Sequence, residues 1–223
     1  MPQRLSIVLI LLMCWTLPAC AGAWLKEKGS GFASVSLSGN YYLDTANSTY
    51  IEYGLYHNLT VGADITLLRS RYGVQSGFAT FFMRRPIGPT DGNTRWAYEL
   101  GLGAGWVEGR VSPLVKTGLS YGRGITLFDK NGWLSVDSSV TWDVSYGYHL
   151  SKVETTAGLN FSDQLAGMMQ LYVGEFSGSG FVVIAPSIII KPKKTKLQFQ
   201  VGAETEWGNT DNSALKIGLW RSF

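Results

Sequence analysis

Trp96-Ala97-Tyr98-Glu99-Leu100-Gly101-Leu102-Gly103-Ala104-Gly105-Trp106 decides the architecture. The even positions carry Trp, Tyr, Leu, Leu, Ala and Trp, whereas the odd ones carry Ala, Glu and three glycines. On an extended chain successive side chains point to opposite faces, so this segment is a strand with one apolar and one polar face. A helix would scatter the same residues around its circumference. The glycines sit inside the alternation and do not close a strand and open a helix, so Gly101, Gly103 and Gly105 are not a phosphate-binding fingerprint. They are small residues that leave room on the polar side.

The same period runs outward in both directions. Ala33, Val35, Leu37, Tyr41 and Leu43 alternate with Ser34, Ser36, Ser38 and Asn40. Leu59, Val61, Ala63, Ile65 and Leu67 oppose Thr60, Gly62, Asp64 and Thr66, and Leu197, Phe199, Val201 and Ala203 oppose Lys196, Gln198, Gln200, Gly202 and Glu204. Turn signals divide the chain into strands near 31–43, 48–56, 59–69, 73–85, 94–107, 111–128, 132–145, 149–161, 165–175, 180–191, 194–206 and 212–223. That spacing predicts an all-β, up-and-down antiparallel transmembrane β-barrel of about twelve strands in one domain, 22–223, with ten as the alternative count. Even-numbered connections read as tight, except Pro86 to Asn93. Several odd-numbered ones, such as Glu175 to Ser179 and Trp207 to Asp211, read as longer.

Composition agrees with that reading. Charged residues make up 16% of the 223, well below a soluble globular protein, while 27 glycines and 13% aromatics exclude disorder, coiled coil and helical bundle. The +3 net charge comes from scattered Lys and Arg without a basic block, so no nucleic-acid partner is expected. At the N-terminus Arg4, the apolar run Ile7 to Leu12 continuing through Trp15, and Ala19-Cys20-Ala21 read as a signal peptide, 1–21, cleaved after Ala21. A weaker alternative is a lipobox at Leu17-Pro18-Ala19-Cys20 that would lipidate Cys20. Cleavage after Ala21 removes Cys14 and Cys20, which leaves the mature chain without cysteine. With two histidines besides, no Cys/His metal site and no cofactor is expected.

Alternation alone does not say which face is inside. The polar face carries Glu52, Asp64, Glu99, Lys116, Asp137, Asp143, Glu154, Gln170, Lys196, Gln198, Gln200, Glu204 and Lys216, too many ions for a dry core. These residues are therefore expected to line a lumen, with the apolar face outward in lipid and Trp96, Trp106 and Tyr41 at the interfaces. A soluble β-sandwich is the competing reading. Seven acids against three lysines in that set make it four net negative, which would favour cations or neutral solutes in a conduit. Pairing of the same charges into a closed interior is the alternative. Two places resist the pattern: Arg123 falls on the lipid side unless Gly122 or Gly124 bulges, and Val182 to Ile190 is apolar on both faces with Pro186 inside.

The chain ends on Leu215, Ile217, Leu219 and Phe223 alternating with Lys216, Gly218, Trp220 and Ser222. This resembles the C-terminal strand of Gram-negative outer-membrane β-barrels, whose terminal Phe is read by the barrel assembly machinery. Residues 22–29, and 50–55 with 59–64, look like segments of small proteobacterial envelope proteins. The resemblance implies an outer-membrane location, outer-membrane lipid and the assembly machinery as partners, and Phe223 as assembly signal. It implies no activity.

His149 and Ser151 share a face two residues apart, with Glu154 near. The pairing resembles that of lipid A deacylases, which would imply a lipid-modifying hydrolase, but no residue to orient the imidazole is assigned. The chain is read as a non-enzyme: a passive pore for small hydrophilic solutes first, a non-conducting structural or adhesive barrel second.

Overall fold

A computed structural model describes residues 22–176 and 178–223. The expected leader, 1–21, including Cys20, lies outside the described residues. Twelve strands form one closed antiparallel barrel in which each strand pairs with its sequence neighbours and β1 closes on β12. They are β1 (Gly31–Asn40), β2 (Thr45–Tyr56), β3 (Leu59–Arg69), β4 (Gln75–Pro86), β5 (Thr94–Val107), β6 (Arg110–Leu127), β7 (Lys130–Asp143), β8 (His149–Ser162), β9 (Leu165–Phe176), β10 (Ser179–Ile190), β11 (Leu197–Glu206) and β12 (Asn209–Ser222). All twelve anticipated strands are present, with ends displaced by at most three residues. Closure runs from Phe32 opposite Ser222 to Asn40 opposite Ala214, so no strand edge is left unpaired.

The period-two faces separate as the wall requires. Phe81 and Leu102 are 70% and 67% exposed on the outside, while Phe82, next to Phe81, and Ala97, on the same strand as Leu102, are 4% and 0% exposed on the inner face. A strand cannot present both faces to one solvent, so the apolar belt is the surface that hydrocarbon would meet and the polar face encloses a lumen. Trp96 and Trp106 stand at opposite ends of the belt on β5. Ten residues at ~3.3 Å each, on a strand tilted ~40°, span about 25 Å, the height of a membrane barrel's apolar band.

Four details differ from the sequence expectation. The connections expected to be longer at Glu175 to Ser179 and Trp207 to Asp211 shrink to residues 177–178 and 207–208, because strand pairing extends further into them. The longest connection, 87–93, is the one expected as the exception at Pro86 to Asn93, and it lies on the rim that carries both chain ends. The tight turn between β6 and β7 falls on Phe128 and Asp129, both at positive φ, and not on the 129–131 left between the expected strands, since Lys130 and Asn131 already pair with Leu127 and Thr126. At Arg123 no bulge forms. It keeps register with Leu134 and Thr94 and faces outward, but Thr94 is the first residue of β5, so Arg123 sits near the rim and away from the middle of the belt. Residues 179–190 form one uninterrupted strand. Its ladder to β9 is continuous, whereas the ladder to β11 skips Ala185 and Pro186, the place where proline has no N–H to give.

Candidate functional site

The lumen is filled in two layers. Nearest the rim that carries the chain ends is an apolar layer of Trp133, Ala166, Met168 and Ile189, with Trp24 and Trp220 packed on it. Trp133 is 2% exposed, and its indole lies against Gly158 of β8, where any side chain would overlap the ring. Ile189 explains the two-sided apolarity of β10: Ile188 and Ile190 face outward while Ile189 is buried in this layer.

Segment 22–30, placed before β1, enters the same space. Ala23 and Lys26 are buried, the Lys26 backbone N–H donates to Thr60 Oγ1 at 2.9 Å, and Gly29 and Gly54 pair through Gly29 N–H to Gly54 O at 2.9 Å. Gly54 leaves the space that the Glu27 backbone occupies, and Gly122 leaves the space for the Trp24 ring. The segment thus narrows the lumen at one end, a role the sequence did not reveal because those residues show no period-two pattern of their own.

Beyond it lies a network of ions. Arg84 of β4 donates from Nη1 to Glu52 Oε2 at 3.0 Å, from Nη2 to Glu99 Oε2 at 2.5 Å and from Nη2 to Tyr50 Oη at 3.2 Å. Lys26 meets the other Glu52 oxygen at 3.2 Å and Lys116 the other Glu99 oxygen at 3.0 Å. Aromatic faces support the cations: Phe82 stacks on Tyr50 with centroids 5.6 Å apart and receives Arg84 at 5.0 Å, while Lys26 sits 5.1 Å over Phe32. Across the lumen Lys152 pairs with Glu154 at 3.4 Å, Gln170 Nε2 donates to Glu154 Oε1 at 2.9 Å, Lys216 pairs with Glu204 at 2.8 Å, and Gln200 Nε2 donates to Ser187 Oγ at 3.0 Å. A cavity of about 290 Å³ remains among these groups, with Asp64, Asp137, Lys152 and Ser34 on its wall.

Most residues read from sequence as lumen-lining face inward: Glu52, Asp64, Glu99, Lys116, Asp137, Glu154, Gln170, Gln198, Gln200, Glu204 and Lys216. Of these, Glu52, Gln198 and Glu204 face inward without lining the cavity, and two further residues read as lumen-lining lie at the rims. Lys196 is exposed in the turn before β11, so its place in the alternation falls one residue short of the ladder. Asp143 ends β7 and caps the next turn, accepting from Ser112 Oγ and from the Ser145 and Tyr146 N–H groups, each 2.9 Å away. Three inward cations went unrecognised: Lys26, Arg84 and Lys152. For Lys152 the signal was present, since Glu154, Thr156 and Asn160 share its even positions on β8, whereas in β4 Phe78 and Phe82 occupy the same face as Arg84 and mask it. The expected excess of four negative charges therefore shrinks to six acids facing five bases, and the count on which a cation preference rested is corrected.

The His149 and Ser151 pair is on the outer face near the opposite rim, and the structure adds an acid that the sequence reading lacked. Glu175 lies directly across from Ser151, with its Oε1 3.9 Å from His149 Nε2. Both side chains are more than two-fifths exposed, and among the described residues no hydrogen bond joins Ser151 to the imidazole. A nucleophile needs its base within hydrogen-bond reach. Glu154 points to the lumen, away from this pair. Phe223 closes the barrel by exchanging backbone hydrogen bonds with Gly31, at 2.7 and 3.0 Å.

No protein-family model matches the chain, and no curated protein does. Solved structures do. The chain is similar to the KdgM porin, with a TM-score of 0.62 at 8% identity over 86% of this chain and 99% of that one. A second structure of the KdgM porin, in complex with disordered oligogalacturonate, gives 0.58 at 9% identity over 87% and 99%. An outer membrane channel from Pseudomonas putida F1 gives 0.55 at 12% identity over 92% of this chain and 100% of that one. At such identities the likeness is one of fold.

Proposed function

We propose that the chain is an outer-membrane barrel that serves as a narrow, passive pathway for small hydrophilic solutes, restricted by segment 22–30. The observation that carries the reading is the inversion of the wall: apolar residues exposed outside, and a polar, ion-bearing interior that still contains a cavity of about 290 Å³. The outer-membrane channels that share the fold support it. On the rim away from the chain ends the connections are two to five residues long, too short to fold over the lumen, so the pathway is restricted from the other end.

With six acids facing five bases, and nearly all of them paired, the interior offers neither ion sign a strong field. Uncharged or zwitterionic solutes suit it best. The structure solved with oligogalacturonate holds an acidic sugar chain, and this lumen has no surplus of positive charge to hold one. The test is single-channel recording in planar bilayers with the mature protein and a variant lacking residues 23–29. Small, brief steps from the first and larger, steadier steps from the second are expected, with a reversal potential within a few millivolts of zero in a KCl gradient. Absence of discrete steps from both proteins, shown to be folded, would leave the structural barrel as the better reading.

A further inference from the structure

Asp137 of β7 is a buried carboxylate set where the described chain begins. Ser120 Oγ hydrogen-bonds to it, yet its Oδ1 is buried without a hydrogen-bond partner. Gly22 packs on that atom: a methyl group on the Gly22 α-carbon would overlap Asp137 Oδ1 and Ser120 Oγ, with Arg84 Nη2 3.4 Å away. The Gly22 α-carbon therefore lies against the orphan oxygen, with its nitrogen one bond away from that carbon and free to turn toward the oxygen once the bond to Ala21 is cut. The A-x-A motif independently puts the cleaved peptide between Ala21 and Gly22. The described lumen is also one positive charge short of balance, with six acids and five bases.

We propose that removal of the leader turns Gly22 into an α-ammonium that ion-pairs with Asp137 inside the barrel, and that this pair, available only to the processed chain, seats segment 22–30 in the lumen. Hydrolysis of the Ala21–Gly22 peptide by water leaves a carboxylate on Ala21 and an amine on Gly22 that is protonated at neutral pH. A peptide N–H can donate one hydrogen bond and carries no charge, so the unprocessed chain cannot neutralise Asp137 in the same way. The charge closes the lumen's balance at six against six. Arg84 from β4 faces the same point and repels the ammonium, while Glu99 from β5 and Glu154 from β8 attract it, so the local field remains favourable. Processing thus supplies the group that holds the restricting segment in place.

Trace acetylation of the folded mature protein across pH tests this, read by mass spectrometry on the N-terminal tryptic peptide Gly22 to Lys26. Burial alone would lower the titration midpoint of the amine, whereas a carboxylate partner raises it, so the direction of the shift separates the two. The expected midpoint is at least one unit above the ordinary ~7.7–8.0, with acetylation at pH 8 about fourfold or more slower than in Asp137→Asn. Should that variant fail to fold, the urea-denatured native protein is the reference, and the folded midpoint must lie above the denatured one. A folded midpoint at or below the reference, or a mature chain that starts elsewhere than Gly22, overturns the proposal. The readout is independent of conductance, so it stands or falls apart from the pore reading.

Discussion

Replacing Arg84 with Met should be among the most damaging single changes in the barrel. Arg84 bridges two carboxylates, Glu52 and Glu99, whose side chains are only 2% and 7% exposed. Each charge-assisted hydrogen bond contributes ~1.5–3 kcal/mol, so the loss of two gives about 3–6 kcal/mol. Breaking a buried ion pair from one side costs ~3–5 kcal/mol by comparison with other proteins. Lys26 and Lys116 stay behind, each on one of the two acids, which places the expectation near the lower end, about 3 kcal/mol. With a urea slope of ~2 kcal/mol per molar, the unfolding midpoint followed by tryptophan fluorescence should fall by about 1.5 M. Adding Glu52→Gln and Glu99→Gln should recover none of that loss, because it takes the carboxylates from Lys26 and Lys116 as well. A midpoint shift below ~0.5 M in the single variant, equivalent to about 1 kcal/mol, would refute the network as a source of stability.

Gly54→Val puts a side chain where the Glu27 backbone runs, so it should dislodge segment 22–30 and raise single-channel conductance while the barrel keeps its strand spectrum. An unchanged conductance would show that the segment does not restrict the path. In the turn 41–44, Asp44 accepts from Asn40 Nδ2 at 2.9 Å and from the Arg71 N–H at 2.6 Å, and these bonds hold its carboxyl below the usual aspartate range. A depressed folded pKa means that the link to Arg71 is fully present above the unfolded value of ~3.9 and is lost as pH falls through the folded one. Corrected for its intrinsic pH dependence, amide exchange at Arg71 should therefore stay slow at pH 5 and accelerate only below about pH 4; acceleration already at pH 6 would contradict the assignment. His149→Ala should leave the acyl composition of outer-membrane lipid A unchanged, and a changed acyl pattern would revive the hydrolase reading.

The wall was legible from residues because a strand's period is two and its alternation needs only neighbours in sequence. Trp96 through Trp106 carry the whole logic in one strand. Strand ends were less legible, since pairing at residues 130–131, between Phe176 and Ser179, and between Glu206 and Asn209 depends on the partner strand and overrides the turn residues' own preference. Inside the lumen the kinds of group were visible but their partners were not. Glu52, Arg84 and Glu99 come from three different strands and meet only once the barrel closes. Segment 22–30 was invisible for a related reason: its place is recorded in Gly54 and Gly122, glycines that read locally as mere small residues. Asp137 was found by alternation, but its unpartnered oxygen appears only in three dimensions.

The orientation of the wall is best tested along β5, because the mature chain, once cleaved after Ala21, has no cysteine to remove. Single cysteines at Tyr98, Glu99, Leu100, Gly101, Leu102 and Gly103 would carry nitroxide labels in lipid vesicles, with collision rates measured for oxygen, which partitions into hydrocarbon, and for a water-soluble nickel chelate. Labels at 98, 100 and 102 should meet oxygen, and those at 99, 101 and 103 should not. Alternation of the opposite phase, or none, would contradict a barrel whose apolar side faces lipid.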